Sequence, residues 1–158
     1  MARVVGVGNP LWDIFAPAET NASLAARFGQ NTASHVDAAV MQELLAGLHD
    51  AAWVPGGGAR NTLSLLAALG RDTYLTGSVG ADVEGDRYRS VLSHDGIADC
   101  LTEDPNLPTG ASLTLFSPGG GRTLIVAPGA ALRLEASAVA PIGDPSFVVF
   151  EEIGRAHV

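Results

Sequence analysis

The chain has 158 residues, 47% of them hydrophobic and 16% charged, and nine basic against seventeen acidic side chains leave a net charge of -8. That size and apolar content suit one domain with a core rather than a disordered chain. There is no basic face for nucleic acid, no apolar run of the ~18–20 residues that span a bilayer, and no leader-like stretch in MARVVGVGNP. Nucleic acid and membrane are thereby excluded as partners, and a cytoplasmic location is expected.

Residues 3–8 (RVVGVG) are β-branched and bounded by Gly-Asn-Pro, which predicts a buried strand. Ala22–Phe28 is a short helix candidate, and residues 36–49 form a stronger one, with Val40, Leu44 and Leu48 recurring every fourth position. Trp53 and Val54 are extended. Residues 54–70 (VPGGGARNTLSLLAALG) read as a Gly-rich turn opening a helix with Gly70 at its end. Residues 73–79 predict a strand, 84–94 a helix, and 97–102 a further strand. Residues 111–116 and 122–127 are joined by Ser-Pro-Gly-Gly-Gly, which predicts a hairpin standing apart as a β flap. A short helix over 134–139 and a buried strand over 147–150 follow. Alternating strands and helices predict an α/β fold with a largely parallel sheet.

The last residues break this pattern. The codon series ATC-GGA-AGA-GCA-CAC-GTC, which resembles a sequencing adapter read in frame, would encode Ile153 to Val158 (IGRAHV); the plainer reading is a natural exposed tail. The expectation is that the natural sequence stops near Glu151 and that 152–158 is a non-native tail.

Several chemistries are excluded by what the motifs lack. Every basic residue is Arg, so neither a Schiff-base nor a P-loop lysine exists in this sequence. Gly6-Val7-Gly8 starts like a dinucleotide fingerprint but lacks the third glycine. Cys100 is the only cysteine, which leaves no internal disulfide or multi-Cys metal site, and it reads as a small core residue. His35, His49 and His94 lack metal-ligand spacing, and Asp82, Glu84 and Asp86 suit a helix N-terminus better than a calcium loop.

Two features point toward a ligand. Asp13 follows a strand and a turn, where α/β sheets bind ligands, and a carboxylate can accept two hydroxyls at once; the plainer reading is a turn-capping Asx residue. Gly56-Gly57-Gly58 precedes a helix carrying Asn61, so a ligand could approach the backbone and meet free N–H groups; the plainer reading is a tight turn.

Four segments in order, VGVGNPLWDI (5–14), PGGGARNTLSLLAALG (55–70), TGSVGADVEGDRYRSVLSHDGI (76–97) and PTGASLTLFSPGGGRTLIVAPGAA (108–131), resemble the ribokinase-like, or PfkB-type, carbohydrate kinases, with the opening closest to the adenosine-kinase branch. The resemblance implies an αβα sandwich with a small β-sheet lid, the lid including the strands near 111–127, all within one domain over 1–151. It implies ATP-dependent phosphorylation of a hydroxymethyl group on a sugar or a nucleoside such as adenosine, with Mg2+ and often K+. Asn9 and Asp13 match positions that contact sugar hydroxyls, and Gly57 and Asn61 match the Gly and Asn that contact the same sugar. Glu151 aligns with a strand-end Glu that binds sugar in ribokinase-like members, but it abuts the tail and no assignment rests on it. The candidate substrate-binding residues are thus Asn9, Asp13, Gly56, Gly57 and Asn61, with no catalytic residue and no metal ligand assigned. The family's second signature, D-T-x-G-A-G-D, which carries the catalytic base and lies near the ATP pocket, has no match here. The expectation is an N-terminal fragment that cannot itself transfer phosphate. The rival reading is a sugar- or nucleoside-binding module without catalysis, and a phosphosugar kinase is a third.

Overall fold

The computed structural model describes residues 2–134 and 144–151. Two sheets carry the architecture. The first is all parallel, in the order β11 (Phe147–Phe150), β1 (Arg3–Val7), β5 (Asp72–Thr76), β7 (Ala98–Asp99). Val4 faces the main core with Leu75, while Val5 and Val7 face a smaller cluster with Tyr74, Cys100 and Leu134. This two-sided burial explains the unbroken apolar run in β1. Helix α3 (Gly58–Ala68) packs on β1 and β5, burying Ala59 and Leu63.

The second sheet has five strands in the order β3 (Ala33–His35), β10 (Arg122–Ala127), β9 (Gly110–Phe116), β2 (Leu11–Pro17), β4 (Ala52–Pro55). The expected hairpin is its centre: β9 and β10 pair antiparallel, and β2 joins β9 in parallel. Register separates two faces. Ile14, Leu113 and Ile125 align on the core side, where Leu24, Phe28, Val40 and Leu45 of α1 (Ala22–Phe28) and α2 (Ala38–Ala46) pack. Asp13, Ser112, Val126 and Val54 align on the other face.

Between the sheets, β6 (Ser78–Gly80) pairs with β8 (Thr102–Asp104), and α4 (Val83–His94) follows. Asp82 caps α4 by accepting from the Gly85 N–H, and its carboxylate also takes the N–H (2.8 Å) and hydroxyl (2.6 Å) of Thr109, just before β9. The acidic cluster is therefore a helix start, with Glu84 and Asp86 in the first turn.

Several boundaries differ from expectation. The segment 73–79 is two strands broken at Gly77, and 97–102 is likewise two short strands. Residues 11–17 and 33–35, unassigned from sequence, are strands of the second sheet. The 36–49 helix is shorter, Ala38–Ala46. A 3-10 helix spans Gly129–Arg133; the helix expected over 134–139 lies, beyond Leu134, outside the described residues, as does 152–158. Residues 147–150 form the expected strand, but it is an exposed edge rather than buried: Phe150 is 75% exposed.

Candidate functional site

Gly8-Asn9-Pro10 turns the chain from β1 of the first sheet into β2 of the second, so the site forms where the two sheets meet. Asp13 lies in β2, not in a turn, which removes the Asx-cap reading. Its half-buried carboxylate accepts a hydrogen bond from Ser112 across the strand pair. Burial raises its carboxyl above the usual range, the nearby Glu151 charge adds to this, and the Ser112 hydroxyl opposes both.

Gly56 and Gly57 are buried beside it. A Cβ on Gly56 would stand 2.5 Å from the Asp13 Oδ2, so only glycine lets this turn and the carboxylate share the space. Gly57 is the N-cap of α3 at φ 96°, and a Cβ there would meet the Asn9 carbonyl oxygen at 2.8 Å. Asn61 joins through its backbone, its N–H donating to the Gly57 carbonyl (2.9 Å). Its side chain is exposed, and its Oδ1 accepts from Arg60 (3.1 Å).

The start of α3 is not free, contrary to the sequence reading. Gly57 offers no capping side chain, and the Glu151 Oε2 takes that role. It accepts from the Ala59 N–H (3.2 Å) and from the Asn9 N–H (3.3 Å), while the Glu151 N–H donates to the Val7 carbonyl (3.0 Å). An N–H that could have gripped a phosphate is occupied by a carboxylate, and a second carboxylate, Asp13, stands near. The arrangement suits neutral hydroxyls and repels an anion.

Asn9, Asp13, Gly56, Gly57 and Glu151 thus converge, with Asn61 one turn along α3. Sequence reasoning missed Ser112, whose signal was the alternation Ser112, Thr114 within β9. It also missed the linkage through Tyr88, which lies within the helix expected over 84–94. Tyr88 is fully buried, and its hydroxyl donates to the Gly56 carbonyl (2.6 Å).

Among the described residues, no group of three or more His, Cys, Asp or Glu could hold a metal ion. With no lysine in the sequence and the α3 start filled by Glu151, these residues do not fit a nucleoside triphosphate with its magnesium.

Known proteins resemble the chain in sequence and fold. A 61-residue stretch, 39% of this chain, is 41% identical to the bifunctional protein HldE of Nitrosococcus oceani and covers 13% of that protein. The Anopheles gambiae adenosine kinase in complex with P1,P4-di(adenosine-5) tetraphosphate superposes on 87% of the chain with a TM-score of 0.73 and 25% identity. The adenosine kinase of Sinorhizobium meliloti superposes on 94% with a TM-score of 0.78 and 21% identity. The chain spans 42% and 46% of those two structures, less than half of a ribokinase-like fold. Residues 37–156 match the family described as pfkB family carbohydrate kinase, and the chain belongs to that family.

Proposed function

We propose that residues 1–151 form the acceptor-holding part of an ATP-dependent kinase that phosphorylates a hydroxymethyl group on a sugar or a nucleoside such as adenosine. The observation that carries this reading is the half-buried Asp13 carboxylate, oriented by Ser112 and pressed against Gly56. A carboxylate so placed accepts from two neighbouring hydroxyls, as a ribose or hexose ring presents them. Asn9, Gly56, Gly57 and Asn61 complete the proposed contact set around it. The Glu151 carboxylate on the start of α3 favours a neutral acceptor over a phosphosugar.

ATP, Mg2+ and K+ belong to the complete enzyme and to residues other than those described. When bound, ATP supplies the transferred phosphoryl group. The residues here orient the acceptor and withdraw it from water, and no proton-transfer step is assigned to them. The strands 111–127, with the rest of the second sheet, would serve as the lid over the acceptor. A soluble cytoplasmic kinase of small molecules, acting on neither nucleic acid nor membrane, fits this reading.

Calorimetric titration with adenosine, ribose, fructose and fructose 6-phosphate tests it. A neutral acceptor should bind in preference to the phosphosugar, and Asp13→Ala should weaken that binding by at least about tenfold, since each charge-assisted hydrogen bond is worth roughly 1.5–3 kcal/mol. Unchanged affinity in Asp13→Ala refutes the assignment. The 158-residue chain, incubated with magnesium-ATP and the same acceptors, should give no phosphorylated product above a protein-free control, because base and anion hole are not among its residues.

A further inference from the structure

The acceptor site is built from backbone turns, and Gly56-Gly57 is the least constrained of them by its own residues. Its orientation is set from outside the turn, first by the Leu11 carbonyl, which accepts from the Gly56 N–H (2.8 Å). Tyr88, one turn into α4, reaches it from behind. Its hydroxyl donates to the Gly56 carbonyl (2.6 Å), and a Cβ on Gly57 would lie 3.4 Å from the Tyr88 hydroxyl oxygen. Its ring packs edge-on against Trp12 at 6.0 Å between centroids, and the Trp12 indole N–H donates to the Glu84 carbonyl of the same helix (3.0 Å). Trp12 immediately precedes Asp13. One helix therefore grips both the glycine turn and the strand that carries the carboxylate.

We propose that Tyr88 is a positioning residue of the acceptor site, fixing the Gly56-Gly57 peptide and, through Trp12, the Asp13 carboxylate against it. The inference rests on the proposed acceptor function but concerns a residue that touches no acceptor. Tyr88 is suited to the task because its burial disfavours loss of the proton it donates. Burial holds the phenol far above its usual range; the Arg60 guanidinium opposes this, and the charges of Glu151 and Asp13 add to it. The hydroxyl thus stays a donor to the Gly56 carbonyl, which has no strand or helix partner among the described residues. Without it, the Gly56-Gly57 peptide can tilt between its two remaining anchors, the Gly56 N–H on the Leu11 carbonyl (2.8 Å) and the Gly57 carbonyl on the Asn61 N–H (2.9 Å), and so shift against Asp13.

The test compares Tyr88→Phe with Leu92→Val, a conservative core change on the same helix. Tyr88→Phe should lower affinity for whichever of adenosine, ribose or fructose the wild type binds by about tenfold, the scale of a site-orienting hydrogen bond. Leu92→Val should cost comparable thermal stability with affinity unchanged. Selective 13C′/15N glycine labelling supplies a readout that needs no acceptor: the Gly56-Gly57 amide resonances should shift or split in Tyr88→Phe and stay in place in Leu92→Val. Wild-type affinity in Tyr88→Phe, equal loss in Leu92→Val, or unmoved glycine resonances overturns the inference. If the wild type binds none of the acceptors, or Asp13→Ala binds as wild type, the acceptor function falls instead, and the glycine resonances alone decide whether Tyr88 sets the turn.

Discussion

Gly57→Ala is the sharpest perturbation of this site that leaves every side-chain hydrogen bond in place. Gly57 sits at φ 96° and ψ 120°, a region closed to residues bearing a Cβ, and forcing one there costs about 1–3 kcal/mol. The added methyl would also stand 2.8 Å from the Asn9 carbonyl oxygen. That oxygen cannot easily retreat, because the Asn9 N–H is held by Glu151. The expected loss is therefore near the top of the range, about 3 kcal/mol. Gly96→Ala supplies the control: its φ is 72°, it follows the end of α4, and a Cβ there would meet nothing within 4 Å. Left-handed strain alone costs it about 1 kcal/mol. In a chain of this size each kcal/mol lowers Tm by roughly 2–4 °C, so the expected losses are about 6–12 °C at position 57 and about 2–4 °C at position 96. Thermal unfolding followed by circular dichroism measures both. Equal losses, or a smaller loss at 57, would refute the close approach of Asn9 on which the argument rests.

Asp13→Asn should raise stability at neutral pH while weakening acceptor binding. The folded state holds the Asp13 proton more tightly than the unfolded chain, so this group favours folding fully below about pH 3.8, and that contribution is lost as pH rises through the raised folded value. The gain from Asn should be a few degrees in Tm at pH 7 and vanish near pH 3.5; an equal gain at both pH values contradicts the burial argument. Thr73→Val should add about 1 kcal/mol, because the buried Thr73 hydroxyl has no partner among the described residues; a loss in urea midpoint would mean it is satisfied. Phe147→Lys with Phe150→Lys should suppress concentration-dependent light scattering, since β11 pairs only with β1 among the described residues and presents both rings to solvent; unchanged scattering would place the sticky surface elsewhere.

Elements whose partners lie nearby in sequence were legible. The α1 helix, the β9–β10 hairpin and the α4 helix all declare themselves by period and punctuation. The strand β2 escaped because its alternation, buried Trp12, Ile14 and Ala16 against half-buried Asp13, Phe15 and Pro17, hides behind the Gly-Asn-Pro corner. The break at Gly77 has no local signal: a Cβ there would strike the Gly8 carbonyl oxygen at 2.6 Å, a contact made by the other end of the fold. FVVF over Phe147–Phe150 has the composition of a core strand, yet burial depends on what packs over it. In the site, Asp13 and the glycine turn were visible as residue types in suggestive places. Glu151 as the cap of α3 was not, because nothing in residues 55–61 shows that their N–H partner arrives from so far along the chain.

That distant cap sets an order of assembly during synthesis. The Ala59 N–H waits for a carboxylate 92 residues downstream, and the Asn9 N–H for the same group 142 residues away. At translation rates of 5–20 residues per second, the start of α3 is made roughly 5–20 seconds before its closing partner exists. Over that interval the nascent turn is an open, positively polarised helix end. The candidate site is thus among the last parts of this region to take shape, sealed only when β11 docks on β1 and brings Glu151 home.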